Sequence, residues 1–136
     1  MKQDKQELME ARAFFEAIGI QCYDIIPPID SDIYCVKRTD SQWAALRIRN
    51  EQFVVPFGRY NHMWGYDRGY CLVSVNDEDK TTFANRGIID SYGKEVIKPY
   101  TYKDIFAFYG KGASYIRIID PKGVPINIPI TLLRLL

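Results

Sequence analysis

A single histidine and three cysteines limit the chemistry that this chain can perform. His62 is the only histidine, so the chain has no histidine pair for a metal ion and few possible relays to a serine or cysteine nucleophile. Cys22, Cys35 and Cys71 form no CxxC pair, and nothing in the neighbouring residues activates a thiol. These residue types predict no catalytic residue, no metal site and no cofactor, and they favour binding over catalysis.

Two loops resemble ligand-binding motifs but lack the required spacing. The acidic run from Asn76 to Asp79 lacks the alternating ligands, central glycine and distant glutamate of an EF-hand, so it is predicted to be a solvated loop. Tyr109–Ser114 places glycines around Lys111 without the spacing of a phosphate-binding loop, and a hairpin turn is predicted there. Neither loop predicts an ion or nucleotide site.

The segment from Phe57 to Tyr70 contains the residues best suited to binding. If it forms one strand, the period of two places four rings on one face, with an arginine near each end. The residues predicted to bind are Arg59, Tyr60, His62, Trp64, Tyr66 and Arg68. Such residue types dominate the hot spots of protein interfaces. In the alternative, Tyr60, Met63 and Tyr66 are spaced by three in a bent segment and belong to the core.

Residues 4–18 predict one amphipathic helix. Asp4 is a candidate N-cap with Glu7 three residues later, apolar side chains follow at helical spacing, and Gly19 ends the helix. The polar face mixes acidic and basic side chains without the cationic bias of a helix on a membrane surface. The helix is therefore expected to pack flat on a sheet or to plug an open barrel end.

The rest of the chain aligns with itself at a period of 43 residues. Trp43–Phe57 aligns with Arg86–Tyr100, so that Pro56 falls on Pro99, and a slip of one residue follows the proline. The resulting units span residues 43–85 and 86–128, with a further partial unit starting at residue 118.

Two turns of the form Asp-x-x-Gly share one predicted chemistry. They lie at Asp90–Gly93 and Asp120–Gly123. An aspartate at the first turn position can bond to the backbone two residues further on, and the glycine accepts a left-handed conformation. Both segments are therefore predicted to be hairpin turns.

The sequence RGIIDSYGKEVIKPYTYKDIFAF, residues 86–108, resembles the repeat of the bacterial WG (also called KWG) family. That pattern is roughly Trp-Gly-aromatic-Ile-Asp-x-x-Gly-Lys-x-Val-Ile-x-Pro-x-Tyr-Asp-x-Ile. Arg86 stands where the family has its signature tryptophan. The earlier unit keeps Trp43 but has Ala44 for the glycine and Asn50 for the turn glycine.

The resemblance covers residues 43–128, and it implies a structural module that binds rather than catalyses. A period near 43 also matches propeller blades, but two and a half units cannot close a ring of at least about four blades. Short β-branched and aromatic runs broken by turn residues from Gln21 onward predict antiparallel hairpins. Residues 131–136 fit a strand or a short helix equally well.

The predicted fold class is mainly β (α+β), in a single domain of 136 residues. An N-terminal helix is expected to cover antiparallel β-hairpin repeats that form a curved sheet or a partly open barrel. The 18 basic and 17 acidic side chains nearly cancel, so neither nucleic acid nor membrane is an expected partner. The odd cysteine count and the charged start predict a cytoplasmic protein, with export after removal of a signal as the alternative.

The predicted function is a non-catalytic β-repeat module that binds another protein through the aromatic and arginine-bearing face or an exposed sheet edge. One alternative is an inhibitor or immunity-type protein directed against a specific toxin or enzyme. The other is a carbohydrate binder or an enzyme that uses the aromatic face, which a deep pocket holding His62 with carboxylates would favour.

Overall fold

With side chains from residue 5 onward, the computed structural model of the protein describes residues 2–29, 31–76, 83–106 and 115–136. The segment Tyr109–Ser114, the acidic run beyond Asn76 and the side chain of Asp4 lie outside the described residues. The described residues form one α-helix, eleven strands and two short 3-10 helices. The mainly β class is confirmed.

The helix α1 spans Lys2–Ala17, and a 3-10 helix at Ile130–Leu135 follows the last strand. The strands are β1 (Cys22–Ile26), β2 (Ile33–Arg38), β3 (Trp43–Arg47), β4 (Gln52–Val55), β5 (His62–Asp67), β6 (Tyr70–Ser74), β7 (Arg86–Ile89), β8 (Glu95–Ile97), β9 (Asp104–Phe106), β10 (Tyr115–Ile119) and β11 (Pro125–Pro129).

The strands form three antiparallel sheets in chain order. The first sheet contains β1 to β4, the second contains β5 to β8, and the third contains β9 to β11. Strands that follow one another within a sheet are paired, so each sheet is a meander. The hairpin repeat therefore builds separate sheets that pack against one another, and each sheet boundary falls inside a repeat unit.

The central strands of the first sheet, β2 and β3, are buried on both faces. Ile33 and Cys35 of β2 point into the core shared with the second sheet, which is here called the first inter-sheet core. Tyr34 and Val36 point the other way, into a core shared with α1. The helix thus packs flat on the outer face of the first sheet, and the continuous apolar run of β2 is explained by burial on two sides.

The third sheet is covered on one face only. Its strand β10 alternates, because Ile116 and Ile118 are buried against the second sheet whereas Tyr115 and Arg117 are exposed. Leu133 of the C-terminal 3-10 helix closes the same core. The alternation of β10 is typical of a sheet with one solvated face.

Gly19 ends α1, as the sequence predicts. Its φ of +91° lets the amide of Ile20 donate to the carbonyl of Phe15 at 2.9 Å, and the Gly19 amide donates to Glu16 at 3.0 Å. This pair of bonds is a Schellman motif, and the apolar contact between Ile20 and Phe15 accompanies it. The helix begins two residues earlier than predicted, and Glu7 accepts a hydrogen bond from the Tyr34 hydroxyl.

The two Asp-x-x-Gly turns have the same hydrogen bonds. Asp90 Oδ1 accepts the amides of Tyr92 at 2.9 Å and Lys94 at 3.0 Å. Asp120 Oδ1 accepts the amides two and four residues further on at 2.9 and 2.8 Å. Gly93 and the equivalent Gly123 have positive φ values of 79° and 90°. The predicted turn chemistry is confirmed in both places.

The strand register corrects the predicted position of the one-residue slip. Val55 lies opposite Ala45, and Ile97 lies opposite Ile88, so Val55 corresponds to Ile97 and not to Lys98. The extra residue lies in the turn between β3 and β4, which contains the 3-10 helix Ile48–Asn50.

With that register, two matches between residues of the aligned segments change. Pro56 no longer corresponds to Pro99, although both prolines still follow a strand end. Glu51, and not Asn50, takes the left-handed position of the turn glycine Gly93, with a φ of +54°.

A β-bulge interrupts β5 at Gly65. The pairing of β5 with β6 shifts register between Met63 and Tyr66, and Gly65 has a φ of +107°. A Cβ atom at Gly65 would lie 2.6 Å from Cγ2 of Ile26, so the side chain of Ile26 occupies the space above the bulge. Glycine is therefore required here both by its backbone conformation and by the packing of β1.

Gly65→Ala is expected to lower the free energy of unfolding by about 3 kcal/mol, because alanine must adopt a strained φ and push against Ile26. Gly69→Ala is the matched control, since Gly69 has a φ of +87° but no atom within 4 Å of its added Cβ. The control should lose about 1 kcal/mol. Urea denaturation followed by circular dichroism measures both, and equal losses would contradict a packing role for Ile26.

Candidate functional site

The predicted binding residues do not share one face. The bulge at Gly65 reverses the alternation of β5, so Tyr66 points into the first inter-sheet core together with Tyr60 and Met63. His62 and Trp64 remain on the opposite face and are partly buried. The expectation of a common aromatic face is wrong, and the spacing of three from Tyr60 to Tyr66 marks core residues.

The two buried tyrosines bond to residues of the second sheet. The Tyr60 hydroxyl donates to Glu95 Oε2 at 3.0 Å, and the Tyr66 hydroxyl donates to the carbonyl of Asp90 at 2.8 Å. Burial raises the pKa of both tyrosines above the ordinary value, and the bond to Glu95 raises the pKa of Tyr60 further. Both rings are therefore structural parts of the core.

His62 lies between two tryptophan rings. The His62 ring is 5.0 Å from the Trp43 ring and 4.2 Å from the Trp64 ring, with interplanar angles of 71° and 74°. The guanidinium of Arg86 lies 5.2 Å from the centre of the Trp64 ring. We call Trp43, His62, Trp64 and Arg86 the ring stack. All its contacts between rings are edge-to-face, as favoured by the aromatic quadrupole.

The ring stack shows how the two repeat units replace one contact by another. Trp43 begins β3 and contacts His62 at the start of β5. In the next unit Arg86 begins β7, and Arg86 Nη1 lies 3.8 Å from Asp104 Oδ1 at the start of β9. Arg86 Nη1 also donates to the carbonyl of Ile105 at 3.1 Å. An ion pair thus occupies the second sheet boundary where the first has an aromatic pair.

The two predicted arginines point away from each other. Arg59 Nη1 donates to the carbonyl of Gly93 at 3.0 Å, so it reaches the turn between β7 and β8. Arg68 forms two hydrogen bonds to the buried carboxylate of Asp67, at 3.0 and 3.2 Å. Among the six predicted residues, the rings of His62 and Trp64 are in contact, and the Arg59 guanidinium lies 5.1 Å from the centre of the Tyr60 ring.

A cavity of about 310 Å³ lies where the turn between β7 and β8 meets β4 of the first sheet. We call it the turn groove. Its lining residues are Arg47, Arg49, Asn50, Gln52, Phe53, Val54, Ser91 and Tyr92. Phe53 and Tyr92 are exposed, with 46% and 85% of their surface accessible. Two arginines and two accessible aromatic rings therefore meet in one groove.

Specific contacts hold the turn groove in shape. Arg47 Nη1 lies 2.8 Å from Asp32 Oδ1, and Arg47 Nη2 donates to the carbonyl of Ser91 at 3.1 Å. The Arg47 side chain therefore bridges the first sheet to a turn of the second. Arg49 lies 3.5 Å from the other carboxylate oxygen of Asp32, and 79% of its side chain is accessible. Arg47 is thus fixed, whereas Arg49 is available to a ligand.

The groove depends on the absence of a side chain at Gly93. A Cβ atom there would lie 2.5 Å from the carbonyl oxygen of Val54, so the turn rests directly on the β4 backbone. The sequence does not predict this groove, because its lining comes from two segments that are distant along the chain. The position of Tyr92 could have indicated an accessible aromatic ring. Tyr92 lies at the tip of the Asp-x-x-Gly turn, where a side chain points into solvent.

Two further cavities have other linings. One of about 190 Å³ separates α1 from β1, and one of about 380 Å³ lies beside β8 and Leu136. His62 lines none of the three cavities. Among the residues described by the structure, no group of three or more histidine, cysteine, aspartate or glutamate side chains could hold a metal ion.

Comparison with known proteins adds no relative. No protein-family model, curated protein or solved structure matches the chain. Within the described ranges, no helix has the length and apolar character needed to cross a membrane.

The free energy of unfolding is expected to decrease as the pH rises above about 10, where tyrosine in the unfolded chain loses its proton. Because Tyr60 and Tyr66 have raised pKa values in the folded state, their contribution is complete below that pH and is lost above it. The double variant Tyr60→Phe/Tyr66→Phe should show a shallower decrease. Urea denaturation between pH 8 and about 11 tests this, and an unchanged slope would contradict it.

Removing Arg86 is expected to cost stability, because the largely buried carboxylate of Asp104 then loses its cation. Arg86→Ala and Asp104→Ala should each lower the free energy of unfolding by about 2 kcal/mol. The double variant should lose about 1 kcal/mol less than the sum of the two single losses. Arg117→Ala is the control, because Arg117 is exposed. Strict additivity would show that the two side chains do not interact.

Proposed function

We propose that this chain is a non-catalytic module of WG-like β-repeats that binds another protein through the turn groove. The observation that supports this most directly is the gathering of Phe53, Tyr92 and Arg49 in one accessible groove. Aromatic and arginine side chains bury a large area at low entropic cost, and they supply most of the binding energy at protein interfaces.

The turn groove is preorganised, because contacts within the chain fix its shape. Arg47 is fixed by Asp32 and Ser91, and the turn is fixed by the bonds of Asp90 and by the close packing of Gly93. A rigid surface loses little conformational entropy on association, which increases affinity. The mobile part of the interaction is then limited to a few exposed side chains, chiefly Arg49 and Tyr92.

The ring stack supports a carbohydrate site less well. Sugar rings stack on open aromatic faces, but Trp43 is buried and the rings of His62 and Trp64 meet edge to face at 74°. A pocket that joins His62 to carboxylates is the feature that would favour an enzyme, and the three cavities described above have other linings. A protein inhibitor of a toxin or enzyme would use the same groove, with its target as the partner.

The partner class follows from charge. The net charge of +1 gives no strong attraction to nucleic acid or to an anionic membrane, so a protein surface is the proposed partner. A reducing compartment such as the cytoplasm is proposed for the interaction, because Cys22, Cys35 and Cys71 are all free thiols.

Tyr92→Ala is expected to weaken partner binding about 30-fold, equivalent to about 2 kcal/mol. Its melting temperature should stay at the wild-type value, because the ring makes few contacts with the rest of the chain. The wild-type protein first captures its partner from an extract of its own cells, and titration calorimetry then compares the affinities of the variants.

Tyr23→Ala is the matched control for Tyr92→Ala. Tyr23 is also an exposed tyrosine, with 67% of its surface accessible, but it lies on β1 and does not line the groove. Arg49→Glu should weaken binding of the same partner, whereas Tyr23→Ala should bind the partner with the affinity of the wild-type protein. The proposal is wrong if Tyr92→Ala and Arg49→Glu both retain wild-type affinity.

A further inference from the structure

Two thiols face each other across the first inter-sheet core. Cys35 lies on β2 of the first sheet and Cys71 on β6 of the second, and both are completely buried. Their Sγ atoms are 4.0 Å apart. The third thiol, Cys22, belongs to the core beneath α1, where its Sγ lies 3.6 Å from the carbonyl of Ile20. The chain thus has one facing pair of thiols and one separate thiol.

Cys71 donates to the carbonyl of Leu72 at 3.3 Å. In the contact between Cys35 and Cys71, either sulfur can be the donor. This bond to Cys71, together with burial, raises the pKa of the Cys35 thiol above its ordinary value. Cys35 is therefore protonated at neutral pH, and the two sulfurs face each other across the core.

We propose that Cys35 and Cys71 form an oxidative modification site, at which a hydroperoxide converts the two facing thiols into a disulfide that joins the first and second sheets. In the first step one sulfur attacks an oxygen of the hydroperoxide and the O–O bond breaks. The thiol proton goes to the departing oxygen, which leaves as water from hydrogen peroxide or as an alcohol from an alkyl hydroperoxide, and the sulfur becomes a sulfenic acid. In the second step the other sulfur attacks the sulfenic sulfur, the S–S bond forms, and water leaves. Two thiols are oxidised and one peroxide is reduced.

Formation of the disulfide requires a small movement of the facing thiols. A disulfide is about 2.05 Å long, so rotation of the two side chains and a small approach of the sheets must close the 4.0 Å gap. Burial makes the reaction slow, because peroxide reaches the thiols only when the sheets separate locally. The raised pKa of Cys35 means that the rate should keep increasing with pH above the range of an ordinary thiol.

The bond would fix the two sheets on which the turn groove is built. Arg47 and Val54 belong to the first sheet, and Ser91 and Gly93 to a turn of the second. A crosslink between residues 35 and 71 also restricts the unfolded chain, so the melting temperature should rise by about 10 °C. Oxidation would therefore make the groove more rigid without touching a residue of its lining.

The experiment uses the full chain with Cys22→Ser, which leaves only the facing pair. The folded protein is treated with hydrogen peroxide, remaining thiols are blocked with iodoacetamide, and peptides are mapped by mass spectrometry. We expect a Cys35–Cys71 linked peptide that has lost two hydrogen atoms, a monomeric product, and a rise in melting temperature that dithiothreitol reverses. The wild-type protein should give the same linked peptide.

The control is Cys35→Ala combined with Cys22→Ser. This protein should form no disulfide within one chain. If that variant does not fold, oxidation of the Cys22→Ser protein in 6 M urea, roughly the level that unfolds small domains, replaces it as the reference. The proposal is overturned if the folded protein keeps two free thiols, forms only sulfinic acid or intermolecular dimers, or becomes linked only in urea.

Discussion

The interface between the first and second sheets is the constraint on which the other features depend. Its side chains come from both sheets and are almost completely removed from water, so each buried apolar group stabilises the contact by about 25 cal/mol per Å². The two tyrosine hydroxyl bonds and the bridge from Arg47 to Ser91 lie along its margin. The turn groove exists only because these contacts hold a turn of one sheet against the edge of another.

Local chemistry explains which parts of the fold the sequence predicted. Gly19 and the aspartates of the two Asp-x-x-Gly turns act within five residues of themselves, so their roles follow from residue type and spacing. The amphipathic pattern of α1 likewise requires only a covering sheet. The mainly β class and the meander order of hairpins follow from the same short-range signals.

The candidate site could not be predicted in the same way, because it depends on distant contacts. The reversal at Gly65 requires Ile26, which lies on another sheet, and a glycine in a strand does not reveal its φ. The extra residue in the turn at Ile48–Asn50 shifts the alignment of β4 with β8 by one residue. The meeting of Val54 with Gly93 joins two segments that no local pattern connects.

Stacking the sheets also determines where a ligand can bind. The central strands β2 and β3 of the first sheet have both faces covered, so their side chains are not available to a partner. The accessible side chains Tyr92, Phe53 and Tyr23 lie on a turn and on the edge strands β4 and β1. The third sheet differs, because its outer face exposes Phe106 and Tyr115. Along the described chain, turn and edge-strand residues are therefore the positions at which the proposed partner would make contact.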